Sequence, residues 1–215
     1  FWVPKANDLR FEGVNVDLEA AGITGGSRLN TVNGDIKVSE LSGRIAIETV
    51  NGQITAKDLN GRIRLNTVNG EIVDVNSAGE LKIETVNGEI KSTSTAKEVE
   101  ISNVNGDMDL NFPKLKELEL SSVNGDIELS TDTTEGAKIF ISTVGGTAEL
   151  MLPAAFAARF EIEAHSGGKI KNQLSNDRVV KEKYGPGRSL RFETGDASGR
   201  VEIGTVNGNI YLKKK

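Results

Sequence analysis

The sequence has 215 residues, of which 37% are hydrophobic, 5% aromatic and 27% charged. Its 26 Lys and Arg residues are mostly scattered against 31 Asp and Glu, and the net charge of −5 argues against a nucleic-acid partner, which would need a basic stripe. The absence of cysteine excludes disulfides and thiolate metal sites. No apolar run approaches the roughly 18 residues of a transmembrane segment. Regularly spaced Ile, Val and Leu residues favour a thin folded body over disorder.

The N-terminal part, residues 1–25, is predicted to form an irregular first coil or cap. It contains most of "LRFEGVNVDLEAAGITGG" (9–26), and Phe1 and Trp2 are candidate cap residues. The chain begins with Phe rather than Met, which is the expectation for a processed or trimmed chain whose export signal has been removed.

Residues 26–146 carry a nine-residue repeat, as in "RIAIETVNG" (44–52), "RIRLNTVNG" (62–70) and "ELKIETVNG" (80–88). The tetrapeptide T-V-N-G or a variant recurs about every 18 residues, so one coil is 18 residues long, with one regular and one variable corner. The predicted turn ladder consists of Asn33, Gly34, Asn51, Gly52, Asn69, Gly70, Asn87, Gly88, Asn105, Gly106, Asn124, Gly125, Asn207 and Gly208.

Asn-Gly between alternating apolar residues is also the strongest local signal for a tight hairpin. In a hairpin, however, Val32 and Asp35 would share one face, as would the corresponding pair in every coil. A corner that keeps the Val inside and continues the same winding avoids this clash of polarity. The pattern therefore predicts an all-β fold, a single-stranded right-handed parallel β-helix or β-roll solenoid with 18-residue coils. Asn33 and Asn51 should then lie roughly 5 Å apart, against about 10 Å in a meander.

Stacked coils align like residues in columns. Ile45, Ile63 and Leu81 should form one inward column. The corner glycine is expected to supply a left-handed backbone, and the Asn amides to hydrogen-bond along the stack. The Thr column beside them can bond similarly, so neither column needs a ligand.

Residues 147–215 are predicted to form the C-terminal coils, with an exposed loop at 175–187. The last coil ends in a full T-V-N-G at 205–208. The lysines at 213–215 are interpreted as a solvated guard on the open edge of the last strand. The whole chain, 1–215, is predicted to be one solenoid domain.

The T-V-N-G-[DE]-I repeat resembles a family of exported bacterial domains of unknown function that carries the provisional label of adhesin. The tail agrees, with L-P-x-x-F followed by alternating strand residues (152–162), a loop and a last T-V-N-G-x-I. The resemblance covers about residues 9–212. It implies a right-handed parallel β-helix located beyond the inner membrane or on the cell surface, and it carries over no catalytic residues.

Little in the sequence indicates catalysis. The single histidine, His165, occupies a place where the repeat expects an inward Val, and is predicted to be a packed corner residue. The residue after T-V-N-G forms a column that is mostly acidic, interpreted as a solvated edge because calcium-binding rolls place G-G-x-G-x-D in the turn itself. This column consists of Asp35, Gln53, Glu71, Glu89, Asp107 and Asp126. Threonine arrays for ice binding use paired T-x-T columns, whereas this chain has T-x-N. We predict no enzyme activity, no metal site and no cofactor.

The sequence leaves two functions open. The first is an extracytoplasmic interaction module in the periplasm, outer membrane or cell surface of a bacterium, with an unknown protein or glycan ligand; the predicted loop at 175–187 favours it. The alternative is a structural spacer or a scaffold subunit that associates with itself through its solenoid ends.

Overall fold

A computed structural model describes residues 4–133 and 136–215. The predicted cap residues Phe1 and Trp2 lie outside the described residues. No helix occurs in the described part of the chain. The strands are β1 (Leu9–Glu12), β2 (Leu18–Ala21), β3 (Ser27–Asn33), β4 (Ile36–Ser39), β5 (Ser42–Asn51), β6 (Ile54–Lys57), β7 (Asn60–Asn69), β8 (Ile72–Val75), β9 (Ala78–Asn87), β10 (Ile90–Thr93), β11 (Glu98–Asn105), β12 (Met108–Asn111), β13 (Glu117–Asn124), β14 (Ile127–Ser130), β15 (Lys138–Thr143), β16 (Thr147–Leu152), β17 (Ala158–Ala164), β18 (Ile170–Asn172), β19 (Val180–Lys181), β20 (Arg188–Thr194), β21 (Gly199–Thr205) and β22 (Asn209–Lys214).

The strands form two sheets, one of 12 strands and one of 10. Each regular coil gives a long strand to the first sheet and a four-residue strand to the second, as β5 and β6 do. Neighbouring strands are parallel and in register at an 18-residue step, with Thr49 opposite Thr67 and Ile54 opposite Ile72. The prediction of an all-β parallel solenoid with 18-residue coils is confirmed.

The core lies between the two sheets. The predicted column of Ile45, Ile63 and Leu81 is confirmed, and each of these side chains is about 1% exposed. The coil geometry begins earlier than residue 26, because β1 and β2 pair in register with β3 and β4 by the same step.

The prediction that the Val of T-V-N-G points inward is wrong. Val50 and Val68 are 38% and 36% exposed, whereas Thr49 and Thr67 are buried. Inward residues therefore alternate without a break as far as the Thr, and no bend is needed before the corner. Threonine suits the inward position because its hydroxyl can satisfy a backbone carbonyl at the corner, which valine cannot do.

The prediction that His165 is a packed corner residue is also wrong. It follows β17 and is exposed, while the preceding Ala164 is buried and pairs with Thr205. His165 therefore occupies the outward position that Val has in the other coils.

The C-terminal coils do not stack in chain order. In the first sheet the order is β15, β21, β17, β20, β19, and in the second it is β16, β22, β18. The last coil, β21 and β22, is thus inserted between two earlier coils, and β20 runs antiparallel to β17. The predicted exposed loop contains the two-residue strand β19, which pairs antiparallel with β20, and most of its residues are exposed.

The terminal lysines lie on a strand that is paired on both sides over only half of its length. Lys213 and Lys214 pair in register with Met151 and Leu152 of β16, whereas β18 pairs only with Ile210, Tyr211 and Leu212. The Lys213 Nζ lies 2.5 Å from Glu149 Oε1, and Lys215 pairs with Asp132. Lys213 and Lys215 thus contact carboxylates of other coils, and the interpretation of the terminal lysines as a guard on an open strand edge stays a prediction.

Candidate functional site: the outer face of the 12-stranded sheet

The Asn-Gly corners form a continuous ladder along one side of the solenoid. The Asn51 amide donates to Asn33 Oδ1 at 2.8 Å, and the Asn69 amide donates to Asn51 Oδ1 at 2.9 Å. The same contact recurs from Asn15 to Asn124. Asn207 makes no such ladder bond in the described structure, because the neighbouring coil has Gly145 at the equivalent place.

The corner glycines are required mainly by space. A Cβ at Gly52, Gly70 or Gly88 would lie 1.9–2.0 Å from the carbonyl oxygen of the equivalent glycine in the preceding coil. The predicted left-handed backbone is found at Gly34, Gly106 and Gly125, with φ of 135–149°, but not at those three glycines. Clearly left-handed residues lie at the variable corners instead, where Glu40, Asp58 and Asn76 have φ of 54–59°.

The Thr column does not bond along itself. The hydroxyls of Thr49 and Thr67 donate to the carbonyl oxygens of Gly34 and Gly52, each at 3.2 Å. Together the Asn and Thr residues hold the corner backbone of one coil against that of the preceding coil. The ladder therefore has a structural explanation that needs no ligand.

The acidic column after the corner has a structural role as well. Asp35 Oδ1 accepts the backbone N–H of Gln53 at 2.9 Å, and Asp126 Oδ1 accepts that of Thr147 at 2.7 Å. The Lys91 Nζ lies 3.0 Å from a carboxylate oxygen of Glu71 and of Glu89. Its hydrogen bond to Glu89, and to a smaller extent that to Glu71, raises the pKa of the Lys91 ammonium group. Within the described residues, no group of three or more His, Cys, Asp and Glu side chains is placed to hold a metal ion.

One ionisable group is sealed inside the solenoid. Asp74 is 1% exposed and accepts hydrogen bonds from Ser77 and Ser92, the latter at 2.7 Å. Burial raises the pKa of Asp74, and the two serine hydrogen bonds lower it in part. This carboxyl group faces the core and cannot meet a solute.

The outer face of the 12-stranded sheet is organised in columns that run along the stacking axis. In the N-terminal half of the chain, ion pairs connect neighbouring strands on this face, such as Arg62 with Glu80 and Arg64 with Glu84. In the second half one column becomes small and uncharged. We call it the serine trough, and it consists of Ser102, Ser121, Ser142 and Gly204.

Two shallow depressions meet along the serine trough. One, of about 440 Å³, includes Ser121, Ser142, Gly204 and Phe140 in its lining. The other, of about 290 Å³, includes Ser102, Ser121 and the corner valines. The serine trough was not predicted from the sequence, although its signal is the small fifth residue of "EVEISNVNG", "ELELSSVNG", "KIFISTVGG" and "RVEIGTVNG". The position of Gly204 beside Ser142 could not be read from the repeat, because it depends on the inserted coil.

The family whose description is Toastrack DUF4097 matches residues 73–213. This match spans more than half of the chain. The chain belongs to the Toastrack family. No curated protein and no solved structure matches it. In the described part of this Toastrack chain, no helix has the length and apolar character of a membrane span.

Proposed function

We propose that this Toastrack domain is a non-catalytic, extracytoplasmic interaction module that holds a ligand on the outer face of its 12-stranded sheet. The observation that supports it is the long, rigid and accessible face itself, with the serine trough as its uncharged part. The corner ladder and the acidic column are used to hold coils together, so the open face carries the groups left for recognition. The resemblance to exported adhesin-labelled domains supports the location.

The alternative is a spacer or scaffold that stacks end to end. The C-terminal end of the first sheet is closed by the antiparallel β20 and by β19, which has only two residues. Short edge strands are a common protection against edge-to-edge pairing. This end therefore offers little surface to a second copy, although at the other end the outer edges of β1 and β2 pair with no strand of the described residues.

A comparison of the two sheet faces tests the interaction module. Glu119 on β13 and Glu128 on β14 are exposed glutamates of the same coil on opposite faces. Wild type, Glu119→Lys and Glu128→Lys would be titrated against arrays of immobilised envelope polysaccharides and purified envelope proteins. We expect at least one ligand whose binding is weakened by Glu119→Lys and unchanged by Glu128→Lys.

Two results would contradict the proposal. One is the absence of any saturable ligand, and the other is a ligand that responds equally to both variants. Protease treatment tests the location. An extracytoplasmic domain should be cleaved either in intact cells or once the outer barrier has been removed, while a cytoplasmic control protein stays protected. Light scattering that shows growing assemblies with concentration would favour the scaffold alternative.

A further inference from the structure

The serine trough has the shape of a site for a chain-like ligand. Ser102, Ser121, Ser142 and Gly204 lie opposite one another on β11, β13, β15 and β21. At a strand spacing of about 4.8 Å they span roughly 14 Å along the stacking axis. The depressions of about 440 and 290 Å³ meet at Ser121, so the trough is open along its length.

The two sides of the trough differ in chemistry. On one side lie Val104, Val123, Val144 and Val206 of the corner column, each 38–42% exposed. The other side is the next outward column, where Phe140 lies between Glu119 and Glu202. A ligand in the trough thus meets methyl groups on one side, and a phenyl ring flanked by carboxylates on the other.

This combination suits a carbohydrate. Serine hydroxyls both donate and accept hydrogen bonds, and carboxylates accept them from sugar hydroxyls. The apolar C–H groups of a sugar ring can pack on Phe140 and on the valine methyl groups. A linear oligosaccharide repeats these groups along its length, as the trough does.

The charge of the surroundings selects among sugars. Glu202 is paired with Arg200, and Arg191 bridges Glu161 and Glu163. Glu119 and its exposed neighbour Glu117 have no ion-pair partner among the described residues, whereas Glu100 on β11 is paired with Lys82. The excess of carboxylate disfavours acidic sugars, because like charges brought together cost binding energy.

A protein partner fits this part of the face less well. Stable protein interfaces bury about 800 Å² on each side and are rich in aromatic residues at their centre. The trough offers one aromatic residue, Phe140, and a floor of hydroxyl groups.

We propose that the serine trough binds a linear oligosaccharide of neutral or amine-bearing sugars that lies along the stacking axis. This inference rests on the proposed function and names the ligand class of that face. Gly204 is central to it, since a Cβ built at Gly204 meets nothing within 4 Å. The missing side chain leaves the floor bare between Ser142 and Glu163, whereas the first coils carry Asn or Glu in this column.

The test fills the trough without disturbing the fold. Gly204→Arg places a long side chain in the open space, and Gly204→Ser is the matched control because it extends the serine column. A third variant, Phe140→Ala, removes the aromatic side. Thermal unfolding of all three should confirm that they fold. The probes are hexamers of β-1,4-linked N-acetylglucosamine, of its deacetylated amine form, and of galacturonic acid, each titrated by calorimetry.

We expect saturable binding of the neutral or amine hexamer and none of the acidic hexamer. Gly204→Arg and Phe140→Ala should each weaken the binding by about tenfold or more, a change of about 1.4 kcal/mol, and Gly204→Ser by less than about twofold. In protein with isotope-labelled valine methyl groups, the signals of Val104 and Val123 should shift on binding, and that of Val32 should not.

Three results would overturn the inference: binding of neither the neutral nor the amine hexamer, preference for the acidic hexamer, or equal binding by wild type and Gly204→Arg. The proposed function is judged separately. A protein ligand that is sensitive to Glu119→Lys and indifferent to Gly204→Arg would leave the interaction module standing and remove the sugar site.

Discussion

Substitution of a corner glycine tests the reasoning about the stack most directly. In Gly70→Ala the new Cβ would lie 2.0 Å from the carbonyl oxygen of Gly52, and ordinary contact begins near 3.4 Å. The two coils must therefore separate locally by about 1.4 Å, the difference between these distances. Both clashing groups belong to the backbone or are fixed to it, so no side-chain rotation can relieve the contact.

The cost follows from the bonds that this separation breaks. Three hydrogen bonds join the coils at this corner, namely Gly52 N–H to the Asn69 carbonyl at 3.1 Å, the Asn69 amide to Asn51 at 2.9 Å, and the Thr67 hydroxyl to the Gly52 carbonyl at 3.2 Å. At about 1 kcal/mol net for each bond, Gly70→Ala should lower the free energy of unfolding by about 3 kcal/mol. For a chain of this size, that corresponds to a fall in Tm of about 6–12 °C.

Two other glycines provide matched controls. Gly204→Ala adds a Cβ in open space at an ordinary φ, and should be neutral or stabilising by up to about 1 kcal/mol. Gly136→Ala also meets no neighbour but has φ of +68°, so it should cost about 1–2 kcal/mol through backbone strain alone.

The assay is guanidinium unfolding followed by far-ultraviolet circular dichroism, with thermal scans in parallel. A free energy of unfolding for Gly70→Ala within about 0.5 kcal/mol of wild type, the usual range of a surface substitution, would refute the steric explanation of the corner glycines. Destabilisation by Gly204→Ala as large as that by Gly70→Ala would refute it too.

Three further predictions concern the corner and the core. Asn69→Ala removes two ladder bonds and should lower the free energy of unfolding by about 1–2 kcal/mol, as measured with denaturant. Asn207→Ala breaks no ladder bond and should lower it far less. Equal losses of stability in the two variants would contradict a stabilising role of the ladder. Thr67→Val should destabilise the fold by about 1 kcal/mol through the lost bond to Gly52, and Val68→Thr should be nearly neutral because Val68 faces outward. A larger loss of stability from Val68→Thr than from Thr67→Val would indicate that Val68 faces inward after all. Asp74→Asn should gain stability relative to wild type as the pH rises from about 4 to 7. Burial raises the pKa of Asp74 above its ordinary value of about 3.9, so the unfolded chain releases this proton at a lower pH than the folded chain, and wild type loses stability over this range. Denaturant unfolding at several pH values checks this, and a difference between the two proteins that does not change with pH would refute it.

The nine- and 18-residue periods were enough to predict the parallel solenoid, the Ile column and the Asn ladder. They could do so because stacking in register places like residues opposite one another, so the period of the sequence is the period of the structure. Repetition itself carries this information, and no long-range contact needs to be known.

The period alone did not decide which residue of T-V-N-G faces inward. Val is the more apolar residue, but the structure buries Thr67 and exposes Val68, because the corner carbonyl of Gly52 needs a donor. The steric reason for Gly70 was equally hidden, since it depends on the carbonyl oxygen of another coil.

The order of the last coils was decided by tertiary structure alone. The sequence determined that the coil with T-V-N-G at 205–208 is of the same kind as the others, and it left open which coils flank it. The reversal at β20 sends β21 back between β15 and β17, and only this places Gly204 beside Ser142. The serine trough therefore exists because strands distant in the chain pair in register, a choice made by the packing of whole coils and not by any local signal.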